Sequence, residues 1–157
     1  MSLIAFVEAL QHSAPGLALR DASPATVLVI QIGHVLGLIL LLTSLVIVNL
    51  RLFGKGLAAQ SLPDVVRATR WAMWLGLVLT ITSGSALFLS APLHYATNAA
   101  FIPKMVLLAT ALLMQATLYR SVTRQSAPGV LLARGTAALS LTLWFGVGLA
   151  GRAIGFV

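Results

Sequence analysis

Three residues of this chain carry chemistry that is costly in an apolar setting: His34, Lys104 and Arg152, each within or at the end of a long hydrophobic run. An imidazole can ligate a metal, relay a proton or contact a quinone; an ammonium and a guanidinium can hold an anion. His34 lies 17 residues from Arg51, Lys104 lies 16 from Arg120, and Arg152 lies 18 from Arg134. At ~1.5 Å per helical residue these are heights of about 24–27 Å in a hydrocarbon core of about 30 Å. The three side chains therefore share one level beneath one membrane interface. Counting from Arg70 brings Thr82, Ser83, Gly84 and Ser85 to about 18–23 Å, and Gln31 is one turn from His34.

This layer holds two fixed cations and one titratable ring, with no carboxylate from the helices themselves. An internal partner for the cations would be Glu8 or Asp21, folded across the outer mouth; both cations could also snorkel to the interface. An external partner would be an anionic ligand such as a carboxylate, a phosphate or the propionates of haem b. His34 has two readings as well. It is a packing histidine bonded to Gln31 or to a Ser or Thr of the second helix, or it is a functional group: an axial haem ligand through neutral imidazole, a proton relay or a quinone contact. A second iron ligand would have to be His94 or His12, neither at helical spacing to His34. Three His and four scattered Met offer little to copper. With three acids in the whole chain and no phosphate-binding glycine loop, hydrolytic acid/base chemistry is disfavoured.

The elements that position these residues follow from composition. Of 157 residues 59% are hydrophobic and 8% charged, with mean hydropathy +1.01, more apolar surface than a soluble domain this small can bury. No charged side chain occurs from Thr26 to Leu50, and three further apolar stretches follow. They predict membrane-spanning helices over about 26–50, 71–89, 99–119 and 131–150. The alternation of barrel strands is absent. The expected fold is an all-α integral membrane four-helix bundle over 25–157, preceded by an amphipathic surface segment over 1–24. In that segment Leu3, Phe6, Val7 and Leu10 fall on one face and Glu8 and His12 on the other, and Pro15-Gly16 should end the helix. It lacks the basic start of a signal peptide and is expected to stay in the mature protein. Gly33 and Gly37 form a small-xxx-small pair, and Gly148, Gly151 and Gly155 groove the fourth helix. Trp74-x-Gly76-x-x-Leu79 is echoed 70 residues later by Trp144-x-Gly146-x-x-Leu149.

Net charge is +7, too thinly spread for a nucleic-acid face. Arg51, Lys55, Arg67 and Arg70 belong to the first connection and Arg120, Arg124 and Arg134 to the third, so the positive-inside rule puts both in the cytoplasm and both termini on the periplasmic side. The absence of Cys excludes disulfides and thiolate metal sites.

SLIAFVEALQ, HVLGLILLLTSLVIVNLRLFG (34–54), NAAFIPKM (98–105) and LWFGVGLAGRAIGF together resemble a family of small four-helix bacterial inner-membrane proteins described as a domain of unknown function. More distantly, a histidine in the first helix followed by an apolar run and Leu-Arg, with a Lys opening the third helix, is similar to CopD-like copper-resistance proteins and HemJ-like protoporphyrinogen oxidases. The latter likeness implies a b-type haem, with His34 and Lys104 at the matching positions. The chain departs from that pattern at Tyr119, where a histidine is expected, and at Pro103, displaced from just after Asn98 and able to kink the helix carrying Lys104. The expected function is a redox role with haem b or quinone through His34, Lys104, Arg152, Gln31 and Ser83, with His94 as a weaker ligand. The alternatives are a non-catalytic subunit of a larger membrane complex or homo-oligomer, or a binder or carrier of a small anion.

Overall fold

The computed structural model of the chain describes residues 3–57 and 59–157. Among the described residues seven helices form: α1 Leu3–Gln11, α2 Ala14–Arg20, α3 Pro24–Phe53, α4 Leu62–Ser90, α5 Pro92–Thr97, α6 Phe101–Thr123 and α7 Val130–Ala153. No strand occurs among the described residues. α3, α4, α6 and α7 are each long and apolar enough to cross a bilayer, so the fold is an all-α four-helix membrane bundle. Their outer surfaces expose Val29, Ile39, Trp74, Val106, Leu113 and Leu149 among many large apolar side chains. Such a surface is stable only under lipid.

Serine starts three of these helices. Ser13, Ser23 and Ser61 each accept a backbone N–H three residues on, from Gly16, Thr26 and Asp64, and a proline follows each within two positions. This cap accounts for two departures from expectation. α4 begins at Leu62, well before Trp71, because Ser61, Pro63 and Asp64 nucleate a first turn that carries Arg67 and Arg70 on helix rather than in a loop. Pro15-Gly16 does not end the N-terminal structure, because Ser13 caps a second helix in which Pro15 occupies the first turn. Pro103 likewise falls in the first turn of α6, where a missing N–H forfeits no helical hydrogen bond.

α3 and α4 approach most closely. A Cβ at Gly76 would lie 2.5 Å from the Leu41 nitrogen and 2.7 Å from the Gly37 oxygen, and a Cβ at Gly37 would lie 2.7 Å from Thr80 Oγ1. Gly37 and Gly76 are thus the glycine contact between helices, whereas Gly33 has open space around it. α7 fits against both α3 and α6, and α6 nears α4 through its last turn. Within α6 one wide turn of π type spans Gln115–Tyr119.

The fully buried side chains concentrate in the half of the bundle away from α5: Leu41, Leu45, Val48, Ala111, Val122, Ala137 and Trp144. The other half is looser and encloses a cavity. α1 rests against α5, burying Val7 but exposing Ile4 and Phe6, and α2 rests against α4. The N-terminal segment therefore lies across one end of the bundle. The side chain of Leu3, expected on the apolar face of α1, lies outside the described residues. The two Trp-x-Gly motifs occupy different settings, since Trp74 is exposed and Trp144 buried.

Candidate functional site

His34 stands on α3 facing α4, where the neighbouring backbone carries Gly84. A Cβ at Gly84 would come 3.1 Å from His34 Cε1, so the imidazole packs closely against the glycine. Beside it, His34 Nδ1 is 2.9 Å from Ser83 Oγ. The Ser83 hydroxyl turns back along its own helix and donates to the Leu79 carbonyl, with the Thr80 carbonyl as a longer second acceptor at 3.4 Å. With its proton so engaged, Ser83 Oγ can only accept from the ring. As acceptor, Ser83 Oγ favours the His34 tautomer protonated on Nδ1, in which Nε2 would hold the lone pair.

His34 lines a cavity of about 300 Å³, at the small end of ligand sites. Its walls come from five helices, with Gly84, Leu87 and Phe88 on α4, His94 and Tyr95 on α5, Phe101 and Lys104 on α6, and Gly151 and Arg152 on α7. The three residues placed at one height by counting, His34, Lys104 and Arg152, thus face one space, and His94, expected only as a weaker ligand, faces it too. Ser83 stands behind the ring as its acceptor. Gln31 does not join them: it is exposed and makes no side-chain hydrogen bond among the described residues. Thr82 and Ser85 are also turned outward, and Thr82 bonds its own backbone at Val78.

The cations are held by shape rather than by counter-charge. The Lys104 chain lies along Gly151, where a Cβ would be 3.5 Å from its Cε and 3.7 Å from its Nζ. The Arg152 guanidinium sits over the Phe156 ring, 4.6 Å from its centroid. Neither acid from the N-terminal segment neutralises them. Asp21 pairs instead with its neighbour Arg20 at 3.7 Å, and Glu8 is exposed and in no ion pair among the described residues. No acid lines the cavity, which has a net positive wall.

An aromatic cluster forms the rest of the wall. Phe88 and Phe101 stack at 5.4 Å and 11°, Tyr95 tilts against both, and His94 meets Tyr95 edge-on at 5.5 Å. Burial in this cluster pushes the Tyr95 phenol above its ordinary range. Tyr95 therefore stays protonated and able to donate at neutral pH. Asn98 fixes the whole end. Its Nδ2 donates to the Ile154 and Val157 carbonyls at 3.1 and 2.6 Å, and its Oδ1 accepts from Ala100 N at 3.0 Å. The end of α7 that bears Arg152 is thereby tied to the start of α6 that bears Lys104. Sequence reasoning missed this role, because Ala100 and not Asn98 is the N-cap of α6 and no local pattern encodes a bond to carbonyls more than fifty residues away.

Among the described residues no group of three or more His, Asp or Glu forms a metal site. A ligand of this cavity would thus meet one or two imidazoles, two cations and a ring-lined wall. No protein-family model, curated protein or solved structure matches the chain, and the functional reading rests on this geometry.

Proposed function

We propose that this cavity binds a flat redox cofactor, haem b, with His34 Nε2 as iron ligand and Lys104 and Arg152 beside the propionates. The observation that carries the reading is the Ser83 hydrogen bond, which favours the His34 tautomer protonated on Nδ1, in a space lined by no acid and by two cations that make no ion pair among the described residues. His94, on the same cavity wall, would supply a second imidazole to such a group. Haem, when bound, supplies one-electron transfer. The residues of this chain orient the ligating ring, offset carboxylate charge and exclude water through the Phe88, Tyr95 and Phe101 cluster.

The size of the cavity favours a second reading. A quinone ring is smaller than a macrocycle, which would have to extend through the open side of a 300 Å³ space. In that case His34 Nε2 would accept a proton from a quinol hydroxyl, while Lys104 or the Tyr95 hydroxyl would donate to a quinone oxygen. A third role, as an accessory subunit, a homo-oligomer or a small-anion binder, becomes the leading account if no chromophore binds. The basic residues gathered at the end away from α5 support an orientation with that end in the cytoplasm and α5 toward the periplasm of a bacterial inner membrane.

Titration of the purified protein with haem tests the reading. The wild type is expected to give a saturable Soret shift at one haem per chain. His34→Ala should abolish the shift, and Lys104→Met should weaken binding about tenfold while keeping the band position. A titration that stays linear in every variant would remove haem and leave the quinone and anion readings.

A further inference from the structure

The end of the bundle away from α5 holds a second cavity, of about 260 Å³, between the last turn of α3, the first turn of α4 and the segment entering α7. Arg51 and Arg134 line it and no acid does. Neither arginine is in an ion pair among the described residues. Arg51 is oriented by its own backbone surroundings, since its Nε donates to the Gln60 carbonyl at 2.8 Å. That bond uses the inner nitrogen and leaves the terminal pair of the guanidinium without a protein acceptor among the described residues. Gly54, at φ +74°, turns the chain sharply out of α3 and shapes the rim. Leu52, Phe53, Leu62 and Val130 supply an apolar wall.

Depth narrows the choice of ligand. α3 has 30 residues, about 45 Å of helix, which exceeds a hydrocarbon core of about 30 Å. Arg51, in its last turn, therefore reaches the level of lipid headgroups. Paired guanidiniums suit a phosphate, which they grip by parallel N–H donors, and an apolar wall suits something attached to it. We propose that this cleft binds a phosphate group between Arg51 and Arg134, supplied by an anionic phospholipid whose glycerol and acyl carbons cover Phe53 and Val130. A soluble phosphate ester presents the same oxygens but leaves that wall uncovered.

The test is thermal unfolding of the full chain in neutral detergent with added phosphatidylglycerol, phosphatidylcholine or inorganic phosphate. Phosphatidylglycerol is expected to raise the midpoint by about 5 °C, and phosphatidylcholine to do much less. Arg134→Gln and Arg51→Gln should each lose most of the rise, while Lys55→Gln and Arg124→Gln, outside the cleft, should keep it. Arg134 is exposed and makes no side-chain hydrogen bond among the described residues, so its variant reads binding free of any folding defect. Native mass spectrometry of the same samples should count one retained lipid in the wild type and none in the double variant. An equal rise with inorganic phosphate, lost in the same variants, supports the phosphate site and assigns it to a soluble ester. Responses unchanged in both arginine variants, or no rise with either ligand, would overturn the proposal.

Discussion

At the scale of single residues, the chemistry turns on a serine whose hydroxyl is already committed. Ser83 donates to its own helix and, as acceptor, favours the His34 tautomer that would leave Nε2 available to a ligand. Such outer partners usually govern ligand strength by 10–100-fold. Ser83→Ala should therefore weaken haem affinity by about tenfold while leaving the helix intact, as read by titration and by far-ultraviolet circular dichroism. Unchanged affinity would mean that Ser83 does not hold the ring. Counting residues along a helix located His34, Lys104 and Arg152 at one height, since each residue adds a fixed rise. It could not give rotation about the helix axis. Gln31, close in height to His34, points outward, and Glu8 and Asp21 stay away from the cations they were expected to meet.

At the scale of elements, the bundle depends on one place where two backbones nearly touch. Gly76 sits against the α3 backbone at Gly37 and Leu41, while Gly33, four residues before Gly37, faces open space. Gly76→Val should destabilise the protein by about 1–3 kcal/mol through forced separation of α3 and α4, and Gly33→Val should change stability little. Thermal melts in detergent compare the two directly. Equal losses would refute the contact assigned here. The four spans were legible because lipid tolerates little besides apolar helix, and that demand writes itself as long uncharged runs. Helix starts were less so. The cap at Ser61 extends α4 through a segment with two arginines that hydropathy alone reads as loop, and the cap at Ser13 builds a second helix from a Pro-Gly pair that ordinarily marks a turn.

At the scale of the whole molecule, packing is divided between two ends. Away from α5 the helices share a buried core. Toward α5 they part around a positively lined cavity at the end tied by Asn98, where α1 packs on α5 and α2 on α4. Four crossings put α1 and the end of α7 on the same side. Because the chain has no Cys, single cysteines report sidedness without background. Ser126→Cys should react with an impermeant maleimide only in inverted vesicles, and His12→Cys only in intact spheroplasts. The reverse pattern would invert the orientation and place the cavity on the cytoplasmic side. Rotation of helices, caps and cavities had to come from three-dimensional packing, because no local pattern encodes which face of an apolar helix meets lipid and which meets a partner.

The central claim is that His34 presents a free nitrogen to a bound redox cofactor. The most direct measurement is a reduced-minus-oxidised absorption spectrum of the protein purified in mild detergent from haem-supplied cells, beside that of His34→Ala. The account predicts Soret and α bands in the wild type that vanish in the variant. A flat wild-type spectrum, or bands that persist without His34, would contradict it.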